Sequence, residues 1–386
     1  MHVLFLPKWY PSRYDPQLGD FIRKQAMATA LCEQVSVLYV TPDNALTRST
    51  ELIEAEEAGV LEVHAYYKAS SHSFRSVRKA TNLWRYVAAA RAGWHAVLRA
   101  RGTPVLVHVH ILMRPALIAL WLKWRRGIPF VISEQSSEYL DGTWERKHRV
   151  AKAWNRFLCR SSSGITAVGD RLGATMKELG LCDRYVVMPN VIPGTDRPLH
   201  PAGATGRFMI VADLVDRIKN VSGVIRALAQ ARKQDDRATL TVIGDGPDRP
   251  ALERLVEELS LQGRVHFLGR LPNTEVLDHM ANAFAVIINS YVETFSVVTG
   301  EALAQGKPVI ATRCGGPVAF VRPENGLLIE PGDDDGLANA MLQVMNDAIR
   351  YDPVRIRGSV NQRFSPAAVG LGFHQFYRSI VPDHGQ

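Results

Sequence analysis

The sequence predicts an α/β protein built from two doubly wound, Rossmann-like domains facing across a cleft. Three observations carry that expectation. Short apolar runs that read as buried strands alternate with segments of helical period through both halves of the chain. A stretch rich in proline and glycine, residues 189–201, interrupts the alternation near the middle and reads as a linker. The 386 residues suffice for two domains, each burying its own core. The expected partition is a first domain over 1–190, a linker over 191–206, a second domain over 207–362 and a closing helical segment over 363–386.

In the first half, residues 3–6 read as a strand and 21–31 as an amphipathic helix. Gly19, between them, permits close backbone approach before a helix start, where a phosphate or a hydroxyl docks; a plain turn glycine is the alternative. Residues 35–40 and 60–66 read as strands, and 44–59 as a polar, mostly acidic connection. Helical period over 74–99 puts Val77, Ala80, Leu83, Trp84, Val87, Trp94 and Leu98 on one arc. Arg75, Arg78, Lys79, Arg85 and Arg99 lie opposite, with Arg91 on the apolar side. That helix either covers a sheet with a solvated outer face or turns a basic face to an anionic membrane surface. Residues 105–110 alternate, placing His108 and His110 on one face; no third ligand follows at metal spacing. His110 closes the strand and is the candidate to face the crevice, the alternative being a core histidine. The strand from Phe130 ends in Glu134 and Gln135, again at the crevice edge. A strand over 164–168, a helix over 170–179 and a strand over 185–188 complete this half.

The second half opens with a strand over 208–211, followed by Asp213, Arg217 and Lys219 before a helix beginning near Val221. An ammonium at a helix start can neutralise charge growing on a departing phosphate. A strand over 239–243 runs into Gly244 and Gly246, but a dinucleotide fingerprint needs a glycine where Arg249 stands, so NAD is not expected. Another strand covers 265–269. Residues 283–288 read as a buried strand, 297–305 as a short helix closed by Gly306 with Pro308 beyond it, and 309–311 as the next strand. Phe295 and Ser296 lead into that helix, whose first N–H groups, from Val297 on, favour a phosphate. Glu293 lies at the loop mouth and Glu301 about two turns into the helix. A carboxylate accepts two hydrogen bonds at once and so suits a vicinal diol. The acidic triplet 333–335 stands directly before a helix, where it reads as a cap rather than a metal site. Residues 364–381 form the last helical pattern.

Composition narrows the classes. The chain is 46% hydrophobic and 22% charged, as in soluble globular proteins. It has no charge-free apolar span of about 18 residues, the length a membrane helix needs. Its N-terminus lacks the features of a signal peptide, and its four cysteines are scattered, which fits a reducing, cytoplasmic setting. The net charge of +8 points to an anionic partner. Twelve Lys and Arg and no Asp or Glu fall within 63–133, yet they do not form a nucleic-acid module, so none is expected as partner.

The run 293–301, ETFSVVTGE, continuing through Gly306, Lys307 and Pro308 to Gly315 and Gly316, resembles the E-x7-E signature of family-four retaining glycosyltransferases. The likeness is clearest over 186–329. It implies the GT-B fold and metal-independent transfer from a nucleotide-diphosphate sugar, without a cofactor, to a glycan or lipid-linked acceptor in cell-surface polysaccharide or glycolipid synthesis. In that picture Glu301 holds the ribose and Glu293 the transferred sugar. Lys219 and the helix start at Phe295, Ser296 and Val297 meet the diphosphate, and Gly244 helps frame the nucleotide. Gly19, Glu134 and Gln135 present the acceptor, with His110 beside the reacting centre. The last helix crosses back to the first domain, and the enzyme sits in the cytoplasm or on the cytoplasmic membrane face. Two positions depart from the pattern. Asp213 stands where relatives often have an arginine, with Arg217 as the replacement, and Gln135 stands where many have a histidine. A nucleotide-sugar epimerase on the same fold and a non-catalytic nucleotide-sugar-binding subunit are the alternatives.

Overall fold

The computed structural model describes residues 1–201, 203–346 and 351–382 and divides them into two units. The first comprises Met1–Val191 together with the last helix. Its elements are β1 (His2–Pro7), α1 (Asp20–Ala30), β2 (Gln34–Pro42), β3 (Thr50–Glu57), β4 (Val60–Tyr67), α2 (Arg75–Arg101), β5 (Leu106–His110), α3 (Arg114–Arg126), β6 (Phe130–Glu134), α4 (Arg149–Ser161), β7 (Gly164–Ala167), α5 (Asp170–Glu178) and β8 (Val186–Val187). The sheet order is β3-β4-β2-β1-β5-β6-β7-β8, and each pair is parallel except β3 with β4. β1, β5 and β6 are buried along their whole length, as strands covered on both faces must be. Strand order reverses between β1 and β5, which places the crevice of this sheet at their carboxyl ends.

Two expectations fail in this unit. The connection expected over 44–59 contains β3, an antiparallel edge strand whose sequence, TELIEAEE, is acidic and largely exposed. Charge on an edge strand blocks pairing with another chain, and that is why the segment lacks a hydrophobic signature. The apolar arc of α2 is only half buried. Trp94 is enclosed, whereas Val77, Leu83, Trp84 and Val87 are exposed.

The second unit, Ile192–Ser365, holds β9 (Arg207–Val211), α6 (Asp216–Lys219), α7 (Val221–Ala231), β10 (Thr239–Ile243), α8 (Arg249–Glu258), β11 (Val265–Gly269), α9 (Asn273–Ala281), β12 (Ala285–Ile288), α10 (Val297–Ala304), β13 (Val309–Thr312), β14 (Gly326–Ile329), α11 (Asp334–Asn346) and α12 (Pro353–Phe364). All six strands are parallel in the order β11-β10-β9-β12-β13-β14. Phe208, Val224, Leu228, Leu240, Ile287 and Met341 belong to its core. The order reverses between β9 and β12, so their two carboxyl-end loops flank the crevice where such sheets bind ligands. Asp333 caps α11, accepting the Gly336 N–H at 2.7 Å.

The stretch expected as a linker is packed against the second unit. Ile192 donates its N–H to Phe364 O at 2.9 Å, and Gln305 Nε2 donates to Gly194 O at 3.2 Å. The buried Lys307 ammonium donates to Pro201 O at 2.8 Å, and burial pushes its pKa down to about 8. The closing segment holds one helix, α13 (Pro366–Ile380), which packs in the first unit, while α12 before it stays with the second. No helix among the described residues is long and apolar enough to cross a membrane.

Candidate active site

The loops after β9 and β12 are tied to each other by one backbone and one side-chain hydrogen bond. Tyr291 N–H donates to Ile218 O at 2.8 Å, and Asn289 Nδ2 donates to Asn220 O at 3.0 Å. Asp216, at the start of α6, accepts from both the N–H (2.8 Å) and the hydroxyl (2.6 Å) of Ser222. These bonds fix the end of α6, where Lys219 Nζ donates to Glu293 Oε1 at 2.6 Å. Ser290 Oγ donates to the same oxygen at 2.8 Å. Glu293 itself is pinned by its backbone, which donates to Cys314 O (3.1 Å) and accepts from Gly316 N–H (2.9 Å). The Lys219 and Glu293 side chains remain 24% and 16% exposed, so the pair is reachable from solvent.

Ser296 precedes α10 in the left-handed conformation, φ 69°, with its hydroxyl 2.8 Å from Thr299 Oγ1. The first N–H groups of α10 have no acceptor within the helix, as at any helix start. Lys219, Glu293, Ser296 and Val297 together line one depression of about 60 Å3. It therefore offers a cation, a carboxylate and a helix N-terminus within one small space, a set suited to a sugar bonded to an anionic group.

The other residues expected on this side lie outside that depression. Glu301 is buried in α10, and its Oε1 accepts from Asn273 Nδ2 at 2.9 Å. Phe295 turns its ring into an aromatic cluster, with ring centroids 4.9 Å from Phe320 and 5.7 Å from Phe364, so its side chain is structural. Arg217 is exposed on α6. Gly244, at φ 130°, lies so close to the end of β9 that a Cβ would fall 1.8 Å from Ala212 O; only glycine lets the two strand ends pass. Asp213 pairs at 3.1 Å with Arg270, which follows β11 directly and which no local pattern singles out. Ser290 and Asn273 are likewise found only through their contacts.

In the first unit the expected site residues are more enclosed than their strand positions imply. His110 has no exposed surface; its ring lies 3.9 Å from that of His108 and 4.5 Å from that of Phe5. Neither ring nitrogen has a hydrogen-bond partner among the described residues. Burial holds its pKa down to about 3, so the ring is neutral. The expectation that it faces an open crevice is not met. Stability contributed by this neutral ring is complete above pH 6.5 and is lost as pH falls towards 3, about 2 kcal/mol of it by pH 5. Urea unfolding at pH 7 and pH 5 is expected to show that loss, and His110→Phe to reduce it. An unchanged pH slope in the variant would refute this assignment. His108, by contrast, is satisfied, bonded at 2.7 Å to both Tyr377 and Ser133.

Glu134 is also buried. Its carboxylate accepts from the N–H groups of Leu112 (3.2 Å), Gln135 (2.9 Å) and Ser136 (3.0 Å) and from the Tyr139 hydroxyl (3.3 Å). Burial raises its pKa against the pull of those amides. Gln135 Nε2 donates to Gln25 Oε1 at 3.0 Å, and Gln25 Nε2 donates on to Asn190 Oδ1 at 3.0 Å. A neutral amide is what this relay uses, and both residues act as loop organisers. Gly19 begins α1 at φ 72°, and a Cβ there would come within 2.4 Å of Trp9 O. The close approach is to the chain's own backbone.

Two family models match the chain: the glycosyl transferase 4-like domain over residues 23–191 and glycosyl transferases group 1 over 197–358. The N-acetyl-alpha-D-glucosaminyl L-malate synthase of Bacillus anthracis is 32% identical over 170 residues, 43% of this chain and 44% of that protein. The chain thus spans about half the length, or less, of the first curated relatives it matches. Among solved structures, a sucrose-phosphate synthase from Thermosynechococcus elongatus superposes with a TM-score of 0.76 at 19% identity, covering 98% of this chain and 99% of that one. Anabaena HepE, solved in complex with UDP, gives 0.70 at 17% identity over 98% of this chain and 100% of its own. These two likenesses concern the fold. With the two models together matching most of the sequence, the chain belongs to the GT-B glycosyltransferases of the family-four type.

Proposed function

We propose that the protein is a retaining glycosyltransferase that moves a sugar from a nucleotide-diphosphate sugar to a glycan or lipid-linked acceptor in polysaccharide or glycolipid synthesis. The observation that carries this is the Lys219–Glu293 pair at 2.6 Å, set beside the α10 N-terminus in one depression. A diphosphate docked there meets an ammonium and the first N–H groups of α10. The bond between the anomeric carbon and the phosphate oxygen breaks with its electrons on the diphosphate, and Lys219 offsets the charge that develops. Glu293 accepts from hydroxyls of the transferred sugar, and Glu301 from the ribose diol. The acceptor oxygen bonds to the anomeric carbon on the face the phosphate leaves, and its proton passes to the departing phosphate oxygen. Glu293 is engaged by Lys219 and Ser290, which suits a binding role better than that of a covalent nucleophile. The UDP in the HepE structure supports a uridine nucleotide as the first donor to try.

Thermal unfolding with a panel of nucleotide-sugars tests the assignment. One donor at a hundred times its Kd is expected to stabilise the protein by about 3 kcal/mol, and Glu301→Ala to lose most of that shift. If every donor leaves the wild type unmoved, or the variant responds as the wild type does, the assignment falls.

A further inference from the structure

The donor site leaves unused a face of the first unit on which apolar and cationic side chains stand together in solvent. On α2, Trp84, Val87 and Arg91 follow one another at helical spacing and form a single exposed stripe that leads to the buried Trp94. Trp84 is 70% exposed, and Trp124 of α3 is 68% exposed. Between the two helices runs a groove of about 770 Å3, with Val87, Trp94 and Trp121 among its apolar walls and Arg91, Arg125 and Arg126 also lining it. Neither helix contains a carboxylate, and the ion pairs of α2 involve its last turn, Arg99 with Glu54 and Arg101 with Glu56. An exposed apolar groove between the helices of a folded unit is costly in water. Its arginines select an anionic partner, and indole rings beside them fit the boundary between headgroups and acyl chains.

We infer that the α2–α3 face docks on an anionic phospholipid bilayer. Trp84, Trp121 and Trp124 seat at the headgroup level, while Arg91, Arg125 and Arg126 meet lipid phosphates. The helices lie on the surface and do not insert across it. Docking needs no donor, so its test stands apart from that of the transferase assignment.

The test is sedimentation of the full chain with phosphatidylcholine vesicles, with and without phosphatidylglycerol, alongside tryptophan emission. The wild type is expected to pellet with the anionic vesicles alone and to shift its emission to the blue. Replacing Arg91, Arg125 and Arg126 together by Gln is expected to weaken partitioning roughly a hundredfold. Trp84→Ser with Trp124→Ser is expected to abolish most of the blue shift. Both variants change exposed residues, and circular dichroism confirms that they remain folded. Failure of the wild type to bind anionic vesicles overturns the inference, as does binding that survives both variants. Equal binding to duplex DNA, without any blue shift on vesicles, also overturns it in favour of a general polyanion surface.

Discussion

Lys219→Ala is expected to lower kcat by about a hundred- to a thousandfold, the usual effect of removing one preorganised donor from a charge-developing site. The ammonium is fixed by the end of α6 and by Glu293, so it needs no rearrangement to meet a departing diphosphate. Because the charge it offsets grows during bond breaking, the loss should fall on kcat more than on KM. The substitution also strips Glu293 of its counter-charge and leaves a bare carboxylate near the leaving group. Lys219→Arg keeps the charge on a different geometry and should recover part of the rate. Steady-state kinetics with the donor chosen by thermal unfolding measures both. An alanine variant with unchanged kcat would place the reacting centre elsewhere.

The largest effect on stability should come from Glu134→Ala, expected to cost about 3 kcal/mol or more, since three buried amides and a tyrosine hydroxyl lose their acceptor. Glu134→Gln keeps one acceptor oxygen and should cost less. Urea unfolding at pH 7 ranks the three proteins. Were the alanine variant as stable as the wild type, the β6 loop would owe nothing to this carboxylate.

The parallel strands and the α10 unit are legible in the sequence because each sends a local signal. β12 appears as an unbroken apolar run, β5 as an alternating one, and α10 is closed by Gly306 and Pro308. Lys219 and Glu293 stand out because loops at the carboxyl ends of parallel strands converge wherever strand order reverses. What was hidden depends on neighbours distant in sequence. Arg270 meets Asp213 from another strand, and Asn273 meets Glu301 from another helix. Nothing local tells a buried His110 from an exposed one, since the enclosing Phe5 is 105 positions away. The edge strand β3 is masked by the very charges that keep it from pairing further. The stripe on α2 obeys the helical period without being covered along its first turns, because periodicity reports a face and not what lies against it.

The return of α13 to the first unit bears on the order in which the protein matures. Val369, Phe373, Phe376 and Tyr377 complete a core begun by Val3, Phe5 and Ile22, and Tyr377 supplies a partner for His108. A ribosome makes these residues more than 300 positions after β1, and Tyr377 269 positions after His108. The second unit, continuous from Ile192 to Ser365, has all its parts in hand earlier. The half synthesised first is therefore the half that closes last, and through the intervening translation its β1–α1 surface stays open to whatever attends the nascent chain.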